Sequence, residues 1–285
     1  MATDLTLPPA PVTASRWEAL RQFSQARLAL GRAGHSLPTA AHLAFQLAHA
    51  QARDAVQLPL DSFGLAAELQ ALGLESLLLH SAAPDRATYL QRPDLGRQLD
   101  AASQQALAPW TSQQRPAPAA APAFDVAWVL ADGLSAQAVH QSAMALVAAT
   151  LQRLQADTDF AWSVAPITVV EQARVAIGDE IGQVLRAQVV VVLIGERPGL
   201  SSPDSLGAYL TWAPRVGLTD ASRNCVSNIR HAGLSIAAAA AKLHYLLTQA
   251  RLRRCSGVAL KDEADAPAGL TAIAQGGTFL LPGAD

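Results

Sequence analysis

Charged side chains are scarce in this sequence, at 15% of its 285 residues, against roughly a quarter in an ordinary soluble domain. Much of the difference is alanine, within a hydrophobic fraction of 51%. That composition excludes a disordered chain and leaves room for large buried subunit interfaces. A net charge of -2 and a pI near 6.4 provide no footprint for a polyphosphate partner, which argues against non-specific nucleic-acid binding. Only two cysteines occur, Cys225 and Cys255. They are too few and too far apart for a disulfide framework or a zinc site, so both are expected to be reduced. There is no run of 18 apolar residues, and the first ten residues lack the charged start and apolar centre of a signal peptide, so the expectation is a cytosolic protein.

Familiar site signatures are missing as well. No Gly-x-Gly-x-x-Gly follows a strand and no Gly-x4-Gly-Lys-Ser/Thr occurs, so an NAD or ATP site has no motif behind it. No Gly-x-Ser-x-Gly elbow supports a serine hydrolase. The histidines are scattered, and the helical pair His42 and His49 reads as ordinary helix residues rather than metal ligands.

The elements that are present divide the chain. Residues 1–14 are rich in proline and read as a flexible arm. Ser15 and Glu18 have capping-box spacing, predicting a helix over 15–30 with Trp17, Leu20 and Phe23 on its apolar side. A second helix opens near Ser36 and Pro38 with Ala40, Leu43, Leu47 and Ala50 as its stripe, and a third spans 62–72. Residues 75–79 suit a short strand. Pro93 fits the first turn of a helix that turns Leu95, Leu99 and Ala102 inward. The region 15–114 is thus mainly helical, and the Pro/Ala stretch 115–123 reads as a linker.

From 124 to 285 strands and helices alternate. Strands are predicted at 126–130, 162–170, 189–194 and 208–212, with helices at 135–154, 177–186 and from Ser235 to the arginines before Gly257. The whole is α/β, a mainly helical N-terminal region followed by a Rossmann-like doubly wound sheet, with ligands expected beyond the carboxyl ends of the strands. The apolar run 189–194 breaks there into a polar loop, and residues 217–230 cluster polar groups without helical or strand period.

Three positions stand out in these loops. Glu196 directly follows the central strand and could accept hydrogen bonds from a ligand; an ion pair with Arg197 or Arg215 is the other reading. Cys225, among Arg223, Asn224 and Asn228, is either a ligand contact or an inert thiol. Val175 could offer backbone groups, or be only an apolar residue before a helix.

At these residues the sequence resembles the small subunit of ethanolamine ammonia-lyase. The resemblance rests on Gly31-Arg32-Ala33-Gly34, on Tyr89-Leu90-x-Arg92-Pro93-Asp94-x-Gly96-Arg97, and on Asp132-Gly133-Leu134-Ser135. It continues through Glu180-Ile181-Gly182, Gly195-Glu196-Arg197-Pro198-Gly199-Leu200, Arg223-x-Cys225-x-Ser227-Asn228-Ile229 and Ser256-Gly257-Val258. Their number and order cover nearly all of the chain after the first 25 residues. The resemblance implies an ammonia-lyase acting on ethanolamine, giving acetaldehyde and ammonia by an adenosylcobalamin radical route. It implies a hetero-oligomer in which a large subunit carries the substrate site and this chain, with no catalytic residue of its own, holds the cobalamin. Val175, Glu196 and Cys225 would be its cofactor contacts. Relatives housed in bacterial microcompartments carry a long N-terminal extension, and the short arm here weighs against encapsulation. The Asp-x-His-x-x-Gly motif that supplies cobalt with a protein histidine does not occur, as expected for a cofactor bound with its own base on. A binding protein of flavodoxin-like fold, using the same crevice for another nucleotide or for a partner, is the competing reading.

Overall fold

The computed structural model describes residues 12–112 and 122–263. Six strands form one mixed sheet in the order β1-β3-β2-β4-β5-β6. β1 (Ser76–His80), β3 (Ile167–Glu171), β2 (Phe124–Ala131) and β4 (Ala187–Gly195) run parallel, while β5 (Leu206–Trp212) pairs antiparallel with β4 on one side and with β6 (Arg223–Ile229) on the other. The sheet is therefore α/β as expected but not wholly parallel. Its outer strand β1 comes from the N-terminal region, so residues on both sides of the Pro/Ala stretch share one sheet. Most of that stretch, 115–121, and most of the arm, 1–11, lie outside the described residues.

Alternation along β4 explains why its run is apolar throughout: both faces are covered. Val189, Val191 and Leu193 face a core built with α2 (Ser62–Ala71), α5 (Ala136–Gln155) and α7 (Ile236–Arg253). Val190, Val192 and Ile194 face α4 (Ala101–Ser112) and α6 (Ile177–Val184). β2 is buried on both sides in the same way, with Trp128 wholly enclosed. Ser135 and Ser235 cap α5 and α7 by accepting the N–H of Ala138 and Ala238, both at 3.3 Å, satisfying amides that helix starts leave orphaned.

Several expectations are corrected. The helix over 15–30 is only a 3-10 turn, Glu18–Phe23. Ser15 Oγ accepts from Trp17 N–H at 3.2 Å, one residue short of a capping box. Trp17 and Phe23 are 67% and 77% exposed, so this chain offers the segment no surface on which an amphipathic helix would gain stability. The second helix, α1 (Thr39–Gln57), forms, yet Leu43 and Leu47 of the expected inner stripe are exposed and only Ala48 and Ala55 are buried. Pro93 opens no continuous helix. α3 (Arg86–Gln91) ends before it, and residues 98–100 are drawn out beside β1, with Ala82 N–H bonded to the Gln98 carbonyl and Asp100 N–H to the His80 carbonyl. The strand expected over 162–170 is regular only from Ile167.

The main miss is β6. Residues 223–229, read as an aperiodic loop, are an edge strand. Edges carry polar side chains, and a register shift opposite Leu206–Ala208 puts Ser227 and Asn228 against a single residue, erasing the period of two.

Candidate functional site

The α6 side of the sheet carries residues from the turn after β3, the end of β4 and the middle of β6. Val175 lies in the turn between β3 and α6 and, like Tyr209, packs against the core that contains Val192 and Ile194. Its carbonyl accepts the Gly178 N–H at 3.1 Å, so that backbone group is committed to the helix start. Glu196 is two residues beyond Ile194 and keeps its face. Cys225 sits opposite Tyr209 in the ladder, which places it on that face too. The three sequence-predicted residues thus share one surface, a shelf over β4, β5 and β6 beside the start of α6. α6 reaches it closely because Gly178 lies on Val192, where an added Cβ would come within 2.4 Å of a valine methyl. The shelf is open outward: Cys225 is exposed, and Val175, Glu196 and Tyr209 are half-buried.

Glu196 does not form the ion pair with Arg197 or Arg215 that was its alternative reading; among the described residues its partners are polar and neutral. Its N–H bonds the Ser205 carbonyl at 2.9 Å. Oε2 accepts the Ser205 hydroxyl at 2.5 Å and the Asn228 N–H at 3.4 Å. The carboxylate is thereby aimed across Gly207, where a Cβ would stand 3.0 Å from Glu196 Oε1 and 3.2 Å from Tyr209 Cε2.

Cys225 and Tyr209 are cross-strand neighbours, close enough to influence each other's titration. Desolvation is the largest influence on the thiol and pushes its pKa up, even though the residue as a whole is exposed. The Tyr209 phenol acts the other way, and the nearby Glu196 charge pushes up again. Burial likewise raises the Tyr209 phenol, helped by Cys225 and Glu196.

Beneath Cys225 the sheet is locked to α6. Arg223 and Asp179 form a two-pronged ion pair at 2.6 and 2.7 Å, with side chains 2% and 3% exposed. Arg223 Nη1 also donates to Thr211 Oγ1 at 3.1 Å. At the far side Arg230 bonds Asn228 Oδ1 at 2.8 Å, the Ser201 carbonyl at 3.0 Å and Gln25 Oε1 at 2.8 Å, tying the loop after β4 to the N-terminal segment. Sequence reasoning passed over Tyr209, Ser205 and Arg230. Tyr209 could have been found as an aromatic in mid-strand on β5, whereas Ser205 and Arg230 carry no local signal. A separate concavity, about 600 Å³, opens around Leu74, Leu151 and Trp162, away from Val175, Glu196 and Cys225.

Comparison with known proteins decides the family. The model of the ethanolamine ammonia-lyase light chain (EutC) matches residues 14–261. The chain belongs to the ethanolamine ammonia-lyase light-chain family. It is 59% identical over 260 residues to the ethanolamine ammonia-lyase small subunit of Ralstonia nicotianae, covering 91% of this chain and 93% of that one. To the protein of the same name from Azotobacter vinelandii it is 57% identical over 272 residues, covering 95% and 97%. To that of Pseudomonas aeruginosa it is 54% identical over 269 residues, covering 93% and 94%. In this light-chain family member the shelf, the locked α6 and the Arg230 tie all fall inside the matched span. Among the described residues no three His, Cys, Asp or Glu side chains are grouped to hold a metal ion, and no helix is long and apolar enough to cross a membrane.

Proposed function

We propose that this chain is the small subunit of an adenosylcobalamin-dependent ethanolamine ammonia-lyase, holding the cofactor against a large subunit that carries the substrate chemistry. The observation behind this reading is the convergence of Val175, Glu196 and Cys225 on one open shelf, in a chain of this family. The β2-α5-β3-α6-β4 path winds to both sides of β2, which supports the Rossmann-like reading, since in such sheets ligands collect beyond the strand ends.

The residues present fit a corrinoid. Its broad ring is fringed with amide side chains, and Glu196 offers a carboxylate held in place by Ser205, with Oε1 bonded to nothing among the described residues. Val175, Ile194 and Tyr209 provide apolar contact, and the missing side chain of Gly207 leaves a cradle beside Glu196. Cys225, small and exposed, borders it. When bound, the cofactor supplies the radical that takes hydrogen from ethanolamine. This chain's part would be to bind and orient: Glu196 would anchor an amide, the apolar patch would exclude water, and the Asp179–Arg223 pair would keep the shelf rigid. An open shelf has one wall only, which accords with the large subunit that the relatives' name implies and with the low charge of the chain.

Co-expression with the large subunit tests the reading. The purified pair should release acetaldehyde and ammonia from ethanolamine only when adenosylcobalamin is added, and neither chain alone should do so. Turnover by the large subunit alone at the same rate would overturn it.

A further inference from the structure

Two motifs noted in the sequence, residues 89–97 and 132–135, take no part in the shelf. Both converge instead on the turn 172–174, which delivers the chain to Val175. Gln172 sits at φ +55, a left-handed conformation that a residue with a side chain adopts only when its surroundings impose it. Its N–H donates to Asp132 Oδ2 at 2.9 Å and its carbonyl accepts the Ser81 hydroxyl at 2.7 Å. Ala173 N–H donates to Asp132 Oδ1 at 2.9 Å, and its carbonyl accepts the Tyr89 hydroxyl at 3.1 Å. Arg174 N–H donates to the Gly96 carbonyl at 2.7 Å, and its guanidinium reaches the Tyr89 carbonyl at 3.2 Å.

The braces are themselves fixed. Asp132 is 3% exposed and Tyr89 is fully buried. The Tyr89 ring is covered by Arg174 at 4.1 Å and Arg86 at 4.7 Å, an arrangement in which each cation meets the negative face of the ring. Arg86 Nη1 lies 3.3 Å from Asp132 Oδ2 and donates to the Gly133 carbonyl at 2.9 Å. Gly96 has no room for a side chain, since a Cβ would meet Arg174 Cγ at 2.9 Å and the Gln172 carbonyl at 3.1 Å. A short turn needing only to connect a strand to a helix could leave these groups to water. Here the backbone N–H and the carbonyl of all three residues are held by protein, the Arg174 carbonyl by the Ile177 N–H at 3.0 Å, and one side chain spans two successive amides. That is how a protein fixes the next residue to a narrow range of positions before a ligand arrives.

We propose that Asp132 and Tyr89 are positioning residues for cofactor binding: through the 172–174 turn they set Val175 at the shelf. The inference rests on the cobalamin reading and extends it to residues far from the shelf. It makes the N-terminal region, which supplies Ser81, Tyr89 and Gly96, part of the cofactor-binding apparatus.

The test titrates adenosylcobalamin into the purified complex with the large subunit, reading dissociation constant and binding stoichiometry separately. Tyr89→Phe keeps the ring between the two guanidiniums and removes one hydrogen bond. Its dissociation constant should rise about three- to tenfold with stoichiometry unchanged. Asp132→Asn presents an amide N–H to one of the two backbone donors and should weaken binding about tenfold or more. If Asp132→Asn fails to fold, Tyr89→Phe carries the test. A Tyr89→Phe complex that binds with the wild-type constant, while its stoichiometry or melting temperature falls, would show a structural brace only and overturn the proposal. Failure of the cobalamin reading is seen separately, as a wild-type complex that takes up no corrinoid, and would remove the proposal with it.

Discussion

The Ser205 hydroxyl donates to Glu196 Oε2 at 2.5 Å, so the carboxylate at the end of the central strand is held from behind and presented across Gly207. Replacing Glu196 with alanine removes the charged acceptor without opening the core, since the side chain is half-buried. Cofactor affinity of the complex should fall by about 1.5–3 kcal/mol, roughly ten- to a hundredfold. Circular dichroism of the variant should match the wild type.

Cys225 should alkylate slowly. Its thiol is pushed up, chiefly by desolvation, so less thiolate is present at neutral pH than in a free thiol, and thiolate is the reactive form. Mass-spectrometric rates with iodoacetamide at pH 7 should be lower at Cys225 than for a small-molecule thiol, and lower again in the complex with adenosylcobalamin. Equal rates with and without the cofactor would take Cys225 away from its contact.

The Arg223–Asp179 pair should behave as a buried ion pair. Asp179→Asn leaves a guanidinium whose side chain is 2% exposed with only the exposed Asp220 carboxylate, 3.5 Å from its Nε, as counter-charge, a loss expected to cost about 3 kcal/mol. Converting both residues to apolar ones of similar volume should recover much of that loss. Urea denaturation of the single and double variants measures the coupling.

Acidity should act through Asp132. Burial, the largest influence, pushes its pKa from the ordinary 3.8 up to about 6, against the opposing pull of the Ala173 N–H and Arg86. The folded protein therefore binds this proton more tightly than the unfolded chain. The stability linked to it is full below about pH 4 and is lost as the pH rises through 6, by up to about 3 kcal/mol. The unfolding free energy of wild type minus that of Asp132→Asn should fall between pH 4 and 6.5. A difference independent of pH would mean that Asp132 is not shifted.

Gly195→Ala should destabilise the fold. Its Cβ would lie 2.0 Å from the Ser135 carbonyl and 2.6 Å from that of Asp132, backbone atoms that cannot swing away. A loss of about 1–3 kcal/mol or more is expected, visible as a lower melting temperature.

What the sequence revealed follows from where the information lay. β2, β4 and the long helices α5 and α7 were legible because they are buried, and burial writes itself into apolar runs and stripes. The helix over 15–30 was misread because its apolar residues are exposed in this chain, so their spacing did not report packing within it. β6 was missed because edge position and a bulge remove the alternation that marks a strand. Glu196 and Cys225 drew notice through strand ends and family motifs. Ser205 and Tyr209 beside them were passed over because neither carries a motif, and the bracing of the turn before Val175 by Asp132 and Tyr89 was hidden because both reach it across many residues of chain.

The most direct measurement is gel filtration of the complex with the large subunit after incubation with adenosylcobalamin, following corrinoid absorbance through the protein peak. Wild-type complex should carry the absorbance, and complex made with Glu196→Ala should carry markedly less at the same cofactor concentration. Absorbance absent from the wild-type peak, or equal in both, would contradict the shelf as the cofactor's seat.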